Sequence, residues 1–315
     1  MIDRFGRSVT YLRVSVTDRC NLRCTYCTLP TAARGLLTTD EIVRIVRVAA
    51  SLGIVKIRLT GGEPTLRADL VEVTRRTAGV EGIREVVMTT NGLRLRPLAR
   101  DLREAGLRGV NVSLDSLRPE RFRTLTGGGS LETVLDGLAA AREAGIEKVK
   151  VNAVVVGGMN DDEVGDFARF AAETGVEVRF IEYMPTARGE QRGWTVPYAI
   201  LLERLREAFP VTPIPSPADG GPAERYRLSG TDGVVGFIHA MSNPFCDRCN
   251  RLRVTPEGRI RSCLLTGGDV DLAEAMRSGA GDETLADLFR RAGDIKPAVY
   301  ELHQLDEMEM RRIGG

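Results

Sequence analysis

The sequence predicts an α/β protein of repeated βα units, whose parallel sheet either stays open or curls into a barrel; six units make an incomplete barrel. Three observations carry that expectation. Strand-like apolar runs alternate with helix-like ones from residue 9 to about residue 185. Cysteines and polar clusters fall directly after the strand-like runs, the edge where βα folds carry their chemistry. A Pro- and Gly-rich stretch, Val211–Glu224, then sets off a C-terminal extension.

In chain order, strands are expected at Tyr11–Val16, Val55–Thr60, Glu85–Thr89, Gly109–Leu114, Val149–Val155 and Val176–Ile181. Helical segments lie between them, for example Thr39–Leu52 and Leu131–Ala144. The first opens on Thr38, Thr39 and Asp40, side chains suited to capping a helix start, carries Glu41 in its first turn and stops at Gly53. Val211–Glu224 is expected to be a linker or long loop, with shorter strands at Gly233–His239 and Leu252–Thr255 beyond it. The expected division is a partial barrel over 1–210 and an extension over 211–315.

At 315 residues, 43 % of them hydrophobic, the chain is long enough to bury a real core. Its 44 Lys and Arg nearly balance 43 Asp and Glu, so no global field draws it onto nucleic acid or a membrane surface. No apolar run approaches the roughly 18 residues of a membrane span, and Met1–Thr10 lacks the apolar stretch of a secretion signal. The expected compartment is the cytoplasm, with neither nucleic acid nor membrane as partner.

The six cysteines divide three and three: Cys20, Cys24 and Cys27 form C-x3-C-x2-C, and Cys246, Cys249 and Cys263 form C-x2-C-x13-C. Thiolates grouped on a loop are soft ligands for zinc or iron–sulfur clusters. Structural zinc closes with four ligands, and the histidines are only His239 and His303. His239 could complete the second group; the first has nothing comparable and implies an open coordination position.

The strand faces add a second signal. Period-2 alternation puts Lys56 and Arg58 on one side of their strand, and Lys148, Lys150 and Asn152 on one side of theirs. Strands covered on both faces are normally continuously apolar. Arg13, Lys56, Arg58, Lys150 and Arg179 together therefore suggest a shared interior facing a polyanion such as a triphosphate, since burying several cations without an anionic partner is costly. Arg251 and Arg253 likewise project together beside the second cysteine group.

The residues Arg13–Cys27 (RVSVTDRCNLRCTYC) and Gly61-Gly62-Glu63-Pro64 resemble the cysteine signature and GGEP motif of radical S-adenosylmethionine (SAM) enzymes. More narrowly, Ser15–Asn21, Ile57–Pro64, Thr89–Gly92, Asn111–Asp115, Arg179–Met184, Phe245–Arg253 and the terminal Ile313-Gly314-Gly315 resemble the molybdenum cofactor biosynthesis protein A family, the GTP 3',8-cyclases. The resemblance spans essentially the whole chain and all six cysteines. It implies an incomplete (βα)6 TIM-type barrel whose C-terminal extension closes the open side and carries a second Fe–S cluster.

By that resemblance Cys20, Cys24 and Cys27 hold a 4Fe-4S cluster with SAM on its open iron, and Tyr26, Gly62, Glu63, Ser113 and Met184 contact SAM. Cys246, Cys249 and Cys263 hold a second 4Fe-4S cluster that meets the guanine of GTP. Arg13, Lys56, Arg58, Thr89, Lys150, Arg179 and the segment Arg251, Leu252 and Arg253 bind GTP. The implied reaction is a lyase reaction: a 5'-deoxyadenosyl radical takes the ribose 3' hydrogen, and the sugar closes on guanine C8 to give (8S)-3',8-cyclo-7,8-dihydro-GTP, the first step of molybdopterin synthesis. Arg251, Arg253 and the tail glycines Gly314 and Gly315 are the expected catalytic residues. A flavodoxin- or ferredoxin-type electron donor, a downstream cyclic pyranopterin monophosphate synthase, and a monomer or homodimer are implied as well. One departure is visible: the loop Thr28–Leu37 is shorter than the family often carries. Two other readings fit less well. A radical SAM peptide maturase would leave Arg251 and Arg253 no triphosphate to pair with, and a zinc-stabilised nucleic-acid binder would want a basic stripe.

Overall fold

The computed structural model describes residues 1–27, 35–185, 193–216 and 221–300. Six βα units run in order. They are β1 (Tyr11–Ser15), α1 (Thr39–Ser51), β2 (Lys56–Thr60), α2 (Leu70–Ala78), β3 (Glu85–Thr90), α3 (Leu95–Glu104), β4 (Leu107–Ser113), α4 (Pro119–Thr126), α5 (Leu131–Glu143), β5 (Lys148–Val155), α6 (Val164–Thr174), β6 (Glu177–Glu182) and α7 (Tyr198–Ala208). There follow β7 (Val211–Ile214), β8 (Glu224–Leu228), β9 (Val234–Ile238), β10 (Arg251–Val254), β11 (Arg259–Cys263), β12 (Gly267–Asp271), α8 (Leu272–Arg277) and α9 (Asp282–Asp294).

Strands β1 to β6 pair in sequence and in parallel, each crossing over through helices. The C-terminal strands lengthen this half-barrel at both edges. β10 joins β1 in parallel and carries β11 and β12 outward, while β9 joins β6 in parallel and carries β8 and β7. One sheet of order β12-β11-β10-β1-β2-β3-β4-β5-β6-β9-β8-β7 results. The expected linker Val211–Glu224 is corrected here: its first four residues form β7, antiparallel to β8. Pro213 is tolerated because β7 is the outermost strand, where a missing N–H breaks no inner ladder.

The expected helix start at Thr38 is a full capping box. Thr38 Oγ1 accepts from Glu41 N, and the Glu41 carboxylate accepts from Thr38 N at 2.8 Å. Gly53, at φ +87°, ends the turn in a conformation few other residues adopt.

The two sheet faces differ sharply. Leu12, Val14, Ile57, Leu59, Val86, Met88, Val110, Val112, Val151, Ala153, Val178 and Phe180 alternate onto the outer face and are buried under the helices. Each large apolar side chain removed from water there contributes about 1.5–3 kcal/mol. Alternation sends the residues between them, including Arg13, Arg58 and Arg179, to the concave side. The polar concave face can exist because the apolar core lies between sheet and helices.

Candidate active site

The loop after β1 carries Cys20, Cys24 and Cys27, and it is held by shape. An added Cβ on Gly61 would lie 2.4 Å from Thr17 O, and one on Gly62 only 2.2 Å from Arg19 O. The bare glycines let the end of β2 touch this loop, with Gly62 N donating to Thr17 O at 2.8 Å and Glu63 N to Arg19 O at 2.7 Å. From the other side, Arg23 N and Thr25 N donate to Thr126 O and Leu125 O at the end of α4, at 3.0 and 2.9 Å.

Glu63 is buried, and burial raises its pKa although four donors oppose the shift. Its carboxylate accepts from Thr65 N, Thr65 Oγ1, Thr90 Oγ1 and Asn91 N at 2.6 to 3.0 Å, tying the ends of β2 and β3 together. The Tyr26 hydroxyl donates to Asp115 Oδ2 at 2.6 Å, and Val154 N donates to Asp115 Oδ1 at 2.9 Å. Burial lifts Asp115 to about 6, and burial and Asp115 hold the Tyr26 hydroxyl well above its ordinary range.

These groups line an open cavity of about 1130 Å³, together with Gly62, Ser113 and Met184. A second cavity of about 1120 Å³ adjoins it, and Thr89, Asn152, Ile181 and Met184 belong to both walls. The second holds Cys246, Cys249 and Cys263 at one side and Arg13, Lys56, Arg58, Arg179, Arg251 and Arg253 around the rest. Cys246 and Cys249 stand on a short 3-10 turn before β10, and Cys263 ends β11.

The strand register explains the basic wall. Arg13 pairs across to Arg58 on one side and Arg253 on the other, so three guanidinium side chains occupy neighbouring strands on one face. Burial and the nearby Arg253 lower the pKa of Arg13 strongly, and burial and Arg251 bring Arg253 to about 10. Arg58 is fixed by neutral partners, the Tyr11 hydroxyl, Met88 O at 3.1 Å and Thr89 Oγ1 at 2.9 Å, so its charge is not cancelled. Near Cys249 the balance runs the other way from an ordinary buried thiol. Burial pushes the group up, but Arg251 and Lys296 outweigh it and hold Cys249 at about 6.

Two expectations need correction. The basic interior is not left to a substrate for all its counter-charge: Glu85 pairs with Lys56 at 2.5 Å and Lys148 at 2.6 Å, and Glu177 with Lys150, Arg179 and Arg225 at 2.6 to 3.2 Å. Burial alone would raise Glu177, yet Arg179 and Lys150 bring it to about 2. Second, Leu252 is fully buried in the apolar layer behind β10, so its side chain faces away from the cavity that Arg251 and Arg253 line. Lys150, brought to about 8 by burial and Arg179, stands beside Glu177 rather than on the lining.

His239 does not complete the second cysteine group. It packs on the far side of β9, with Nδ1 2.7 Å from Asn243 O and Nε2 3.1 Å from Glu224. His303, Gly314 and Gly315 lie outside the described residues, as do residues 28–34 of the short loop.

Sequence reasoning passed over Tyr11, which alternation would have placed beside Arg13, and Asp115, which stood in a quoted motif without a role. It also passed over Lys296, which no periodicity marks because it follows α9 outside any strand.

The donor set fits iron–sulfur chemistry. Three sulfurs face each cavity, and all six cysteines are free thiols. Thiols grouped on one cavity wall are soft ligands suited to an iron–sulfur cluster. Asn152 Oδ1, at the common wall, and Arg253 Nε are buried and have no hydrogen-bond partner among the described residues, a polar acceptor and donor suited to a ligand.

Comparison with known proteins agrees with this geometry. Residues 14–171 match the Radical SAM superfamily model, and residues 176–302 match Molybdenum Cofactor Synthesis C. The chain is 44 % identical to the GTP 3',8-cyclase of Moorella thermoacetica and 46 % identical to that of Heliobacterium modesticaldum, covering 100 % of both sequences in each case. It is 47 % identical to that of Streptomyces coelicolor, covering 93 % of this chain and 88 % of that one.

Among solved structures, Streptococcus suis SuiB bound to S-adenosylmethionine superposes with a TM-score of 0.63 at 16 % identity, over 90 % of this chain and 68 % of that one. Native anSMEcpe with bound AdoMet superposes with a TM-score of 0.51 at 19 % identity, over 63 % of this chain and 60 % of that one. Both likenesses concern the fold alone. With full-length identity well above that level to curated relatives, the chain belongs to the GTP 3',8-cyclase family of the radical SAM superfamily, whose membership implies a 4Fe-4S cluster and SAM.

Proposed function

We propose that this protein is a GTP 3',8-cyclase, a lyase that converts GTP to (8S)-3',8-cyclo-7,8-dihydro-GTP in the first step of molybdenum cofactor biosynthesis. The observation that carries the reading is the pair of cavities with a common wall, one cysteine triad on each, and a ring of cations in the second.

In this reading Cys20, Cys24 and Cys27 hold one 4Fe-4S cluster, with SAM against Tyr26, Gly62, Glu63, Ser113 and Met184. Cys246, Cys249 and Cys263 hold the second, beside GTP. When bound, the first cluster and SAM supply the one-electron cleavage that yields a 5'-deoxyadenosyl radical able to take the ribose 3' hydrogen of GTP.

The chain's own residues orient and confine. Arg13, Lys56, Arg58, Lys150 and Arg179 attract the triphosphate; Glu85 and Glu177 keep part of the set in place before GTP arrives. An anion relieves the mutual repulsion of Arg13, Arg58 and Arg253, which favours binding a highly charged nucleotide over a neutral one. Thr89 and Met184 face both cavities, where they can fix ribose against SAM and exclude water. Arg251 and Arg253 line the second cavity, where an arginine of this pair can serve the reduced purine as proton source. Leu252 contributes through its backbone. Gly314 and Gly315, without side chains, bring the tail backbone to the substrate.

Electrons come from a flavodoxin- or ferredoxin-type donor, and the product passes to cyclic pyranopterin monophosphate synthase. The enzyme works in the cytoplasm as a monomer or homodimer, from a barrel unit over 1–210 and a cluster-bearing unit over 211–315. Among the described residues no helix is long and apolar enough to cross a membrane.

The test is anaerobic turnover of the cluster-loaded protein with SAM, a low-potential reductant and GTP deuterated at ribose C3'. Deuterium is expected in the 5'-deoxyadenosine by mass spectrometry; unlabelled 5'-deoxyadenosine at the rate seen without GTP would overturn the assignment of substrate.

A further inference from the structure

Lys296 follows α9 and is 2 % exposed, a rare burial for a lysine. Its Nζ donates to Cys249 Sγ at 3.2 Å, to Arg251 O at 3.0 Å and to Ser262 O at 3.0 Å. An ammonium has three protons, and all three are engaged. Two acceptors belong to β10 and β11, the strands that carry the basic pair and Cys263. The third is a candidate ligand sulfur. The residues just beyond are held separately. Arg7, with its Nε on Asp3 at 2.6 Å, donates to Pro297 O at 2.9 Å, Ala298 O at 3.2 Å and Cys246 O at 2.8 Å. Residues 296–298 thus cross the second triad as a strap, fastened to a sulfur by Lys296 and to backbone carbonyls alone by Arg7.

We propose that Lys296 is a positioning residue for the second triad: its ammonium orients Cys249 and draws charge from that sulfur, and so tunes the cluster the triad holds. The inference rests on the reading that Cys246, Cys249 and Cys263 bind an iron–sulfur cluster. A donor to a ligand sulfur stabilises the more negative, reduced cluster and raises its potential. Groups that orient a ligand are worth about 10–100-fold in metal affinity.

The experiment uses the full chain with Cys20, Cys24 and Cys27 changed to Ala, reconstituted with iron and sulfide, so that any cluster is the second one. Into that background go Lys296→Met, Lys296→Gln, Lys296→Arg and Arg7→Met. Iron content, the midpoint from an electron-paramagnetic-resonance redox titration, and the rate of iron loss to a chelator are measured. Lys296→Met is expected to move the midpoint negative and to speed iron loss about 10–100-fold. Lys296→Arg should restore part of both, and Arg7→Met should leave the midpoint in place because it touches no sulfur.

An unshifted midpoint in Lys296→Met, or an equal shift in Arg7→Met, would make Lys296 a packing residue only and overturn the proposal. If Lys296→Met takes up no cluster, Lys296→Gln decides, since it keeps a donor of similar reach and removes the charge; an unchanged midpoint there overturns the proposal. A parent protein that binds no iron overturns the cluster reading itself, and the inference with it.

Discussion

Cys24 and Cys249 each stand at the centre of a three-cysteine group, yet their surroundings pull them apart. Burial, Asp115 and the neighbouring thiols push Cys24 well above its ordinary range. Cys249 is buried too, but Arg251 and Lys296 outweigh that burial and bring it to about 6. The supports differ in kind as well. The first loop is gripped by backbone, between the Gly61-Gly62 contact and the end of α4; the second is surrounded by donors that bear charge. Identical thiols are thus set among different neighbours. Burial and negative neighbours keep the proton on Cys24, whereas the second group sits in a positive cavity that also suits an anionic nucleotide.

The largest expected effect tests that division directly. Cys24→Ala should abolish 5'-deoxyadenosine formation altogether, because nothing else in the first cavity can replace a ligand. Cys249→Ala should keep slow 5'-deoxyadenosine release and lose the cyclised product. Anaerobic product analysis of both variants checks this, and equal loss of 5'-deoxyadenosine in the two would remove the distinction between the groups.

Next in size is removal of Gly314 and Gly315. Cyclisation should be lost while iron content and the absorption of both clusters stay as in the intact chain. Full product formation by the shortened protein would show that the second cavity needs no help from the tail.

How much of this was legible beforehand follows from what periodicity encodes. The six parallel strands, the capping box at Thr38 and the convergence of Arg13, Arg58 and Arg179 are consequences of local spacing, so the sequence alone exposes them. Glu85 and Glu177 were visible as residues but not as counter-charges, because only strand register brings them beside Lys56 and Lys150. Lys296 is the extreme case: it meets Cys249 across 47 residues of chain with no pattern to announce it. The attachment of the C-terminal strands to both edges of the half-barrel is likewise a long-range pairing, and β7 was hidden by its own proline and the Pro/Gly run that follows.

A smaller effect should sharpen the account of the positive cavity. Glu177→Gln leaves Lys150, Arg179 and Arg225 facing a neutral amide, and removing one partner of a buried ion pair costs about 3–5 kcal/mol. The cost here should lie near the lower end, since Lys150, already lowered by burial, gives up its proton more readily once Glu177 no longer holds it. The pH dependence gives the sign. Glu177 is lowered from 4.5 to about 2 in the fold, so its contribution is present above about pH 4.5 and is lost as pH falls toward 2. Urea denaturation of the metal-free protein should show that acid-limb loss diminished in the variant. An unchanged acid limb would mean that Glu177 is not the anchor of the cations.

The smallest expected effect belongs to the first group. Tyr26→Phe keeps the ring in the first cavity and removes only the hydroxyl that donates to Asp115 Oδ2. Asp115 is buried and retains Val154 N as a donor, so one charge-assisted hydrogen bond is lost and one remains. Such a bond contributes about 1.5–3 kcal/mol, and the surviving donor together with water admitted at the open cavity should hold the loss near the lower figure. Equilibrium unfolding of the metal-free protein at neutral pH, where Asp115 at about 6 is mostly ionised, measures it. A loss near zero would mean that Asp115 takes up a proton when the hydroxyl goes. The carboxylate would then be no fixed negative neighbour of Cys24, and the contrast between the two cysteine groups would rest on the cations of the second alone.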